Sequence, residues 1–196
     1  MASPLLMLDG KEVVGRADAP EAARHVVVLG VPASGKSHVV RALTGDTDAK
    51  SSAWARVTLV ARSFSAVSSS APQGTPKVVF WDTPHEVDLD RLVDRKAQPL
   101  GSAPPRCDAL LLVHRAVGGC RLPRDCHTST FEWAARHGVP VLVVLTNTAA
   151  SDGRDSVLEL LRLLGGDGAY PSVALELMQP WHVAHLWRAV DNVLSK

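Results

Sequence analysis

The stretch "HVVVLGVPASGKS", from His25 to Ser37, decides how the rest of the chain is interpreted. Its apolar first half predicts a buried strand, and Lys36 to Leu43 predicts a helix that ends at Gly45. Between them the residues follow the spacing G-x-x-x-x-G-K-S. A loop with this spacing, between a strand and a helix, surrounds nucleotide phosphates with backbone N–H groups. The sequence therefore predicts a nucleotide phosphate site here.

Each part of this loop has an expected role. The lysine would reach the β and γ phosphates, the following serine hydroxyl would bind Mg²⁺, and the helix N-terminus would favour an anion. Pro32 has no N–H group, so it removes one donor that would otherwise face the phosphates. The predicted phosphate-binding residues are Gly30, Val31, Pro32, Ala33, Ser34, Gly35, Lys36, Ser37 and His38.

Along the rest of the chain, strand patterns alternate with helix patterns. Further strands are predicted at "WARVTLVA", "KVVFWD", "CDALLLV", "VPVLVVLT" and "SVALEL", and further helices at 86–96, 124–137, 155–164 and the C-terminus. The Ser/Gly/Pro-rich "SFSAVSSSAPQGTP" is predicted to be a loop joining two adjacent strands. This order predicts an α/β fold with a doubly wound, mainly parallel six-stranded sheet and one antiparallel edge pair. We expect an N-terminal arm at 1–23 and one domain at 24–196.

Composition narrows the class of protein. The 196 residues are 46% hydrophobic, and 21 basic and 20 acidic residues are mixed along the chain without a basic block. This balance gives no support for nucleic-acid binding. The three scattered cysteines fit a reducing compartment, and Cys120, Cys126 and His127 match no standard zinc spacing. With no apolar run of membrane length and no lipidation motif, we expect a soluble, intracellular, cytoplasmic protein without a direct membrane anchor.

A second motif, "VVFWDTP", ends a predicted strand at Asp82. A carboxylate there would lie beside the Mg²⁺ of a nucleotide held by Lys36, and would act on it through a water molecule. An alternative is that Asp82 or Thr83, followed by Pro84, simply caps the next helix. The phosphate loop earlier in the chain favours the metal role.

With these motifs in this order, the chain resembles the Ras-like superfamily of small GTPases over about residues 24–195. The further landmarks are Thr58 in "RVTLV" and "LTNT" at the end of the fifth strand. Taken together, the segments "VT", "DTP" and "LTNTAASDG" are most similar to those of the plant-immunity and chloroplast-import-receptor GTPases. The resemblance implies a P-loop NTPase fold of the small G-domain type that binds GTP or GDP with Mg²⁺. It assigns the metal to Ser37, Thr58 and Asp82, although Thr58 has an equal reading as an ordinary strand residue.

The chain departs from the family where hydrolysis is concerned. The family pattern D-x-x-G reads here as Asp82-Thr83-Pro84-His85, and Glu86 stands where many relatives have a water-orienting glutamine. Histidine at position 85 lacks the backbone freedom of the glycine that relatives have there. The carboxylate of Glu86 is poorly suited to a site beside anionic phosphates. No catalytic residue can be assigned, and His85 and Glu86 are the remaining candidates.

The chain also departs from the family in the motif that recognises the guanine base. The family motif [N/T]-K-x-D places its acid on the guanine edge, but "TNTA" aligns Thr146 with the first position, Asn147 with the lysine and Ala149 with the acid. Asp152 is the nearest carboxylate that could replace the missing one. The expected nucleotide-contacting residues in this region are Thr146, Asn147 and Asp152.

Three functions remain open at this point. The first is a GTP-binding regulatory module with weak or absent hydrolysis, acting through a protein effector, an activating partner or a second copy of the chain. The second is a pseudo-GTPase that serves as a protein-binding scaffold. The third is an ATP-dependent small kinase, for which "RLPRDCH" would supply the lid.

Among the tryptophans, Trp54 is a candidate contact with a protein partner, and Trp181 and Trp187 are expected to pack the last helix on the sheet.

Overall fold

Besides the helical residues Leu89 and Asp90, the described part of the chain forms six strands and three helices. Their bounds are β1 Arg24–Leu29, α1 Lys36–Thr44, β2 Arg62–Ala66, β3 Val78–Asp82, β4 Ala109–Arg115, α2 Arg124–His137, β5 Val141–Thr146, β6 Ser172–Leu175 and α3 Pro180–Leu194. The structure, a computed structural model, describes residues 23–45, 62–66, 77–83, 89–90, 106–116, 124–148, 171–175 and 180–195.

The six strands form one sheet in the order β2-β3-β1-β4-β5-β6. Every neighbouring pair is parallel except β2 and β3, which run antiparallel at one edge. The predicted fold class, a mainly parallel six-stranded sheet with one antiparallel edge pair, is confirmed. The central strands are continuous apolar runs, as expected of strands that are covered on both faces.

Helices cover the sheet on both faces. The core on one face combines alternate strand residues such as Val28 and Phe80 with residues of α1 and α3. The core on the other face combines the intervening residues, such as Val27 and Trp81, with Trp133 of α2. The side chain of Asp82 shares the α1 face with Phe80, since successive strand residues point to opposite faces.

The position of β2 corrects the sequence-based assignment. A loop was expected from Ser63 onward, but Arg62–Ala66 is a strand paired with β3. Phe64 lies opposite Phe80 and packs against the core, whereas Ser65 is exposed. An edge strand needs few apolar residues, so its serines resemble loop composition. The segment predicted as this strand, 54–61, lies outside the described residues.

The helix bounds that the structure describes agree with those predicted from the sequence. The predicted ends of α1 and α2 at Gly45 and Gly138 are confirmed, and both glycines have positive φ. Leu89 and Asp90 are helical, as expected within 86–96, and the predicted helix at 155–164 lies outside the described residues. Within the described ranges, no helix has the length and apolar character needed to cross a membrane.

One prediction about α3 is wrong. Trp187 is buried on the sheet as expected, but Trp181 is 65% exposed. The two positions are six residues apart, so their side chains point about 120° away from each other around the helix axis. The Trp181 ring instead lies against His182, with ring centroids 3.5 Å apart.

Candidate nucleotide site

The candidate site lies at the carboxyl edge of the sheet, where β1, β3 and β5 end. Gly30 follows β1, Asp82 ends β3 and Thr146 ends β5. Ligands of parallel α/β sheets bind at this edge because loops from several strands converge there. The edge brings together residues that are more than one hundred positions apart in the sequence.

The loop between β1 and α1 has the backbone conformation that its glycines predict. Gly30 and Gly35 have φ angles of 149° and 97°, and Gly35 is the N-cap of α1. Ala33 also has a positive φ, 59°, which costs an L-residue about 1–2 kcal/mol. The exposed tip of the loop, Pro32 and Ala33, is therefore held in shape by the surrounding structure.

Gly30 is required because the end of β4 passes close to it. A Cβ atom on this residue would lie 2.2 Å from the Val113 carbonyl oxygen and 2.8 Å from Ser34 Oγ. Real Cβ atoms do not approach backbone oxygens so closely, so any side chain here would push the loop off β4. Ser34 is buried as a whole, and its N–H donates to the Val31 carbonyl oxygen at 3.2 Å.

Lys36 is the buried cation of the site, with 9% of its surface exposed. Its Nζ donates to the carbonyl oxygens of Gly30, at 2.8 Å, and Val31, at 3.2 Å. Burial lowers the pKa of Lys36, while the Asp82 carboxylate acts in the opposite direction. An ammonium group desolvated in this way is stabilised by any anion that enters the loop.

Ser37 and Asp82 meet across the site. The Ser37 hydroxyl donates to Asp82 Oδ2 at 2.6 Å, and the carboxylate is almost fully buried. A hydroxyl beside a carboxylate offers the hard oxygen ligands that Mg²⁺ prefers. These two residues, next to the Lys36 ammonium, fit a magnesium–phosphate group; Ser37 and Asp82 would hold the cation, which would neutralise phosphate charge.

Thr83 has a role that was not anticipated from the sequence. It is fully buried, and its hydroxyl donates to the Val28 carbonyl of β1 at 2.7 Å. This bond fixes the chain directly after Asp82 to the central strand. A threonine in "DTP" is equally typical of a helix cap, so its sequence context did not distinguish the two roles.

Thr146 connects the loop to β5. Its hydroxyl donates to the Ser34 carbonyl oxygen at 2.7 Å and lies 3.4 Å from the His114 carbonyl oxygen. The next residue, Asn147, has a φ of 58° and is half-buried. Thr146 was expected near the base, and its observed hydrogen bond is to the phosphate loop.

The structure does not describe four of the residues that the sequence predicted for the site. Thr58, His85, Glu86 and Asp152 all lie outside the described residues. Among the residues that are described, no group of three or more His, Cys, Asp or Glu side chains could hold a metal ion. The described site therefore consists of the loop, Lys36, Ser37, Asp82 and Thr146.

The sequence around this site matches the model of a known protein family. A family model described as "50S ribosome-binding GTPase" matches residues 25–147. The matched range begins in β1 and ends just after β5, so it contains the loop, Asp82 and Thr146. No significant match was found among proteins of curated function.

Solved structures share the fold at low sequence identity. Two mutation variants of SsGBP match with a TM-score of 0.57 at 17% and 18% identity, over 89% and 88% of this chain. The bacterial selenocysteine-specific elongation factor EF-Sec matches with a TM-score of 0.60 at 14% identity, over 88% of this chain. The chain spans 57% and 56% of the SsGBP variants and 29% of EF-Sec. At these identities the similarity establishes the fold, that of a P-loop GTPase domain.

Proposed function

Because this chain belongs to the family described as "50S ribosome-binding GTPase", we propose that it is a GTP-binding regulatory module with slow or absent hydrolysis, acting through protein partners. The observation that carries the proposal is the arrangement around Lys36. This buried ammonium lies in the loop, beside a serine hydroxyl that is hydrogen-bonded to Asp82 at 2.6 Å. A polyphosphate with Mg²⁺ is the ligand that such a set of groups fits best.

Contacts within the protein hold the loop in a shape that would fit phosphates. Thr146 holds the Ser34 carbonyl, Gly30 lies against β4, and Lys36 bonds to two carbonyl oxygens of the loop. The Lys36 ammonium has three N–H donors, so it could bond to a phosphate oxygen while it keeps its bonds to the two carbonyl oxygens. Preorganisation of this kind reduces the entropy lost on binding.

Slow hydrolysis is inferred from the residues that follow the magnesium carboxylate. Fast hydrolysis needs a positioned water molecule and donors directed at the γ-phosphoryl group. The chain has His85 where relatives have a flexible glycine, and Glu86 where they have a neutral amide. Efficient turnover would therefore require groups supplied by a partner or by a second copy.

Nucleotide binding is tested by Lys36→Ala, with Arg41→Ala as the matched control. Both variants remove one cation from α1, but the Arg41 side chain is exposed. Ligand at 100 times its dissociation constant should stabilise the wild type by about 2.7 kcal/mol. We expect this gain in the control and almost none in Lys36→Ala, measured by thermal shift with GTP, GDP, ATP and ADP in the presence of Mg²⁺. Equal shifts in both variants would exclude the loop as the binding site.

Hydrolysis is tested by single-turnover phosphate release from the purified protein. We expect a rate at or below about 10⁻⁴ s⁻¹, the level of small GTPases without an activating partner. Release faster than about one per minute, well above that level, would show that an intrinsic catalytic group is present and would contradict the slow module.

A pseudo-GTPase scaffold is the second candidate. It is favoured by one observation: Lys36 and Ser37 already have hydrogen-bond acceptors within the protein. A loop that satisfies its own cation can keep its shape without nucleotide. Protein that binds a partner equally well with and without nucleotide, and that retains none through purification, would support this candidate over the first.

A further inference from the structure

The outer side of α3 carries an exposed face that the sheet does not use. Trp181 stands near the start of this helix, and within the described ranges no other large apolar side chain is exposed. Ala184, His185 and Arg188 are exposed on the same helix. Positions 181, 184, 185 and 188 follow the spacing i, i+3, i+4, i+7, so the four residues share one face of the helix. These four residues form the α3 stripe.

The α3 stripe lies opposite the buried face of the helix. Leu186 and Val190 are buried in the core between α3 and the sheet. At 3.6 residues per turn, these two side chains point about 150–170° away from the centre of the stripe. The stripe therefore faces away from the sheet, where another molecule could reach it.

The two ends of the stripe are chemically complementary. A guanidinium group is attracted to the face of an aromatic ring, and tryptophan is the best acceptor for this contact. Within the described ranges, Arg188 makes no hydrogen bond or ion pair that would compete for its charge. Trp181 and Arg188 lie seven positions apart, about 10.5 Å along the helix axis, and they point in directions that differ by only about 20°.

A second copy of α3 would bring these complementary ends together. Two antiparallel α3 helices can be related by a two-fold axis that passes between Ala184 and His185. Trp181 and Arg188 are equally far from this axis, on opposite sides of it. Each Trp181 would therefore face Arg188 of the second copy, and the small Ala184 side chain at the crossing would let the helices approach closely.

We propose that the α3 stripe is the interface of a homodimer in which Trp181 of each copy packs on Arg188 of the other. Such an interface is isologous, because the same patch serves both copies. A single pair of helices is a small contact area, so the dimer should be weak, with a dissociation constant in about the micromolar range. This dimer goes beyond the proposed function and does not require nucleotide binding.

The dimer is tested by sedimentation equilibrium of the full-length protein without added nucleotide. Trp181→Ala and Arg188→Ala each remove one member of the pair. Arg136→Ala is the matched control, because it removes an exposed arginine from α2, which covers the other face of the sheet. A thermal melt at a low concentration, where the chain is monomeric, should show every variant as stable as the wild type, since all the replaced side chains are exposed.

The expected result is a selective loss of dimer. Each substitution in the pair removes both Trp–Arg contacts, so it should raise the dimer dissociation constant about tenfold or more. Arg188→Lys keeps a cation and should lose less than Arg188→Ala. Arg136→Ala should dimerise like the wild type.

Mixing the two variants tests the antiparallel register. In a mixed dimer, the Trp181→Ala chain supplies Arg188 and the Arg188→Ala chain supplies Trp181, so one of the two contacts is restored. Each variant alone restores neither. The mixture should therefore dimerise more strongly than either variant by itself.

Three outcomes would overturn the dimer. A wild type that stays monomeric at about 100 μM, far above a micromolar dissociation constant, would exclude it. A dimer that Trp181→Ala and Arg188→Ala leave unchanged would use another surface. A mixture that dimerises no better than its components would exclude the Trp–Arg pairing. Nucleotide affinity enters none of these measurements, so each failure would leave the proposed function standing.

Discussion

At the scale of single residues, Gly30 and Ala33 show what a motif predicts and what it does not. The spacing of Gly30, Gly35 and Lys36 predicted the loop because each residue type has a physical task there. The positive φ of Ala33 had no such signal, since alanine is uncommon in that conformation. The reason that Gly30 cannot carry a side chain, its approach to the Val113 carbonyl, was also hidden in the sequence because β4 is distant along the chain.

Two glycine substitutions separate backbone strain from crowding. Gly45→Ala meets no atom within 4 Å, so it should cost only the positive-φ penalty of about 1–2 kcal/mol. Gly30→Ala should add about 1–3 kcal/mol for the contact with β4 and should abolish nucleotide binding. Urea unfolding of both variants measures the difference. Equal losses would mean that the loop can move away from Val113 at no cost.

At the scale of secondary structure, the elements that are most buried were the ones that the sequence predicted best. The strands of the sheet centre are uninterrupted apolar runs, so β1, β4 and β5 could be read directly from the sequence. The edge strand β2 could not, because its contacts with the core come from Phe64 and the small Ala66, and the serines between and around them resemble a loop. In α3 the burial of Trp187 was predicted correctly, but Trp181 was assigned to the same face on hydrophobicity alone.

Replacing each tryptophan of α3 by alanine should therefore lower the free energy of unfolding by very different amounts. Trp187 packs edge-on against Phe80 and donates from Nε1 to the Leu43 carbonyl at 3.1 Å, which ties α3 to the last turn of α1. Trp187→Ala should cost about 3–5 kcal/mol of unfolding free energy. Trp181→Ala should change it by less than about 0.5 kcal/mol, since the residue is exposed. A large loss on replacing Trp181 would show that its ring makes stabilising contacts beyond the one with His182.

At the scale of the whole molecule, the candidate site depends on contacts that join distant segments. Thr146 reaches Ser34 across 112 residues, and Thr83 reaches Val28 across 55. Such pairs require the strand order, which the alternation of elements constrains but does not determine. This explains why the sequence could predict a candidate site from the loop and the carboxylate, but not the hydrogen bonds of Thr146 and Thr83 that hold them in place.

The opposite edge of the sheet contains a buried histidine that should make stability depend on pH. Trp81 Nε1 donates to His25 Nδ1 at 3.1 Å, so this nitrogen is an acceptor and the imidazole is neutral. Burial lowers the pKa of His25, the Asp108 carboxylate acts against that shift, and Arg106 adds to it. Protonation at Nδ1 would break the hydrogen bond to Trp81 and place a charge in the core.

The sign of the effect follows from proton binding. An unfolded histidine has a pKa of about 6.5, so below that value the unfolded chain takes up a proton that the folded protein refuses. The free energy of unfolding should therefore fall as pH is lowered from about 6.5 toward the lower folded pKa, by at most about 1.4 kcal/mol per pH unit. His25→Gln should remove this dependence, whereas His185→Gln, at an exposed position, should retain it. Urea unfolding at several pH values decides the matter, and an identical pH profile for wild type and His25→Gln would show that His25 does not resist protonation in the folded state.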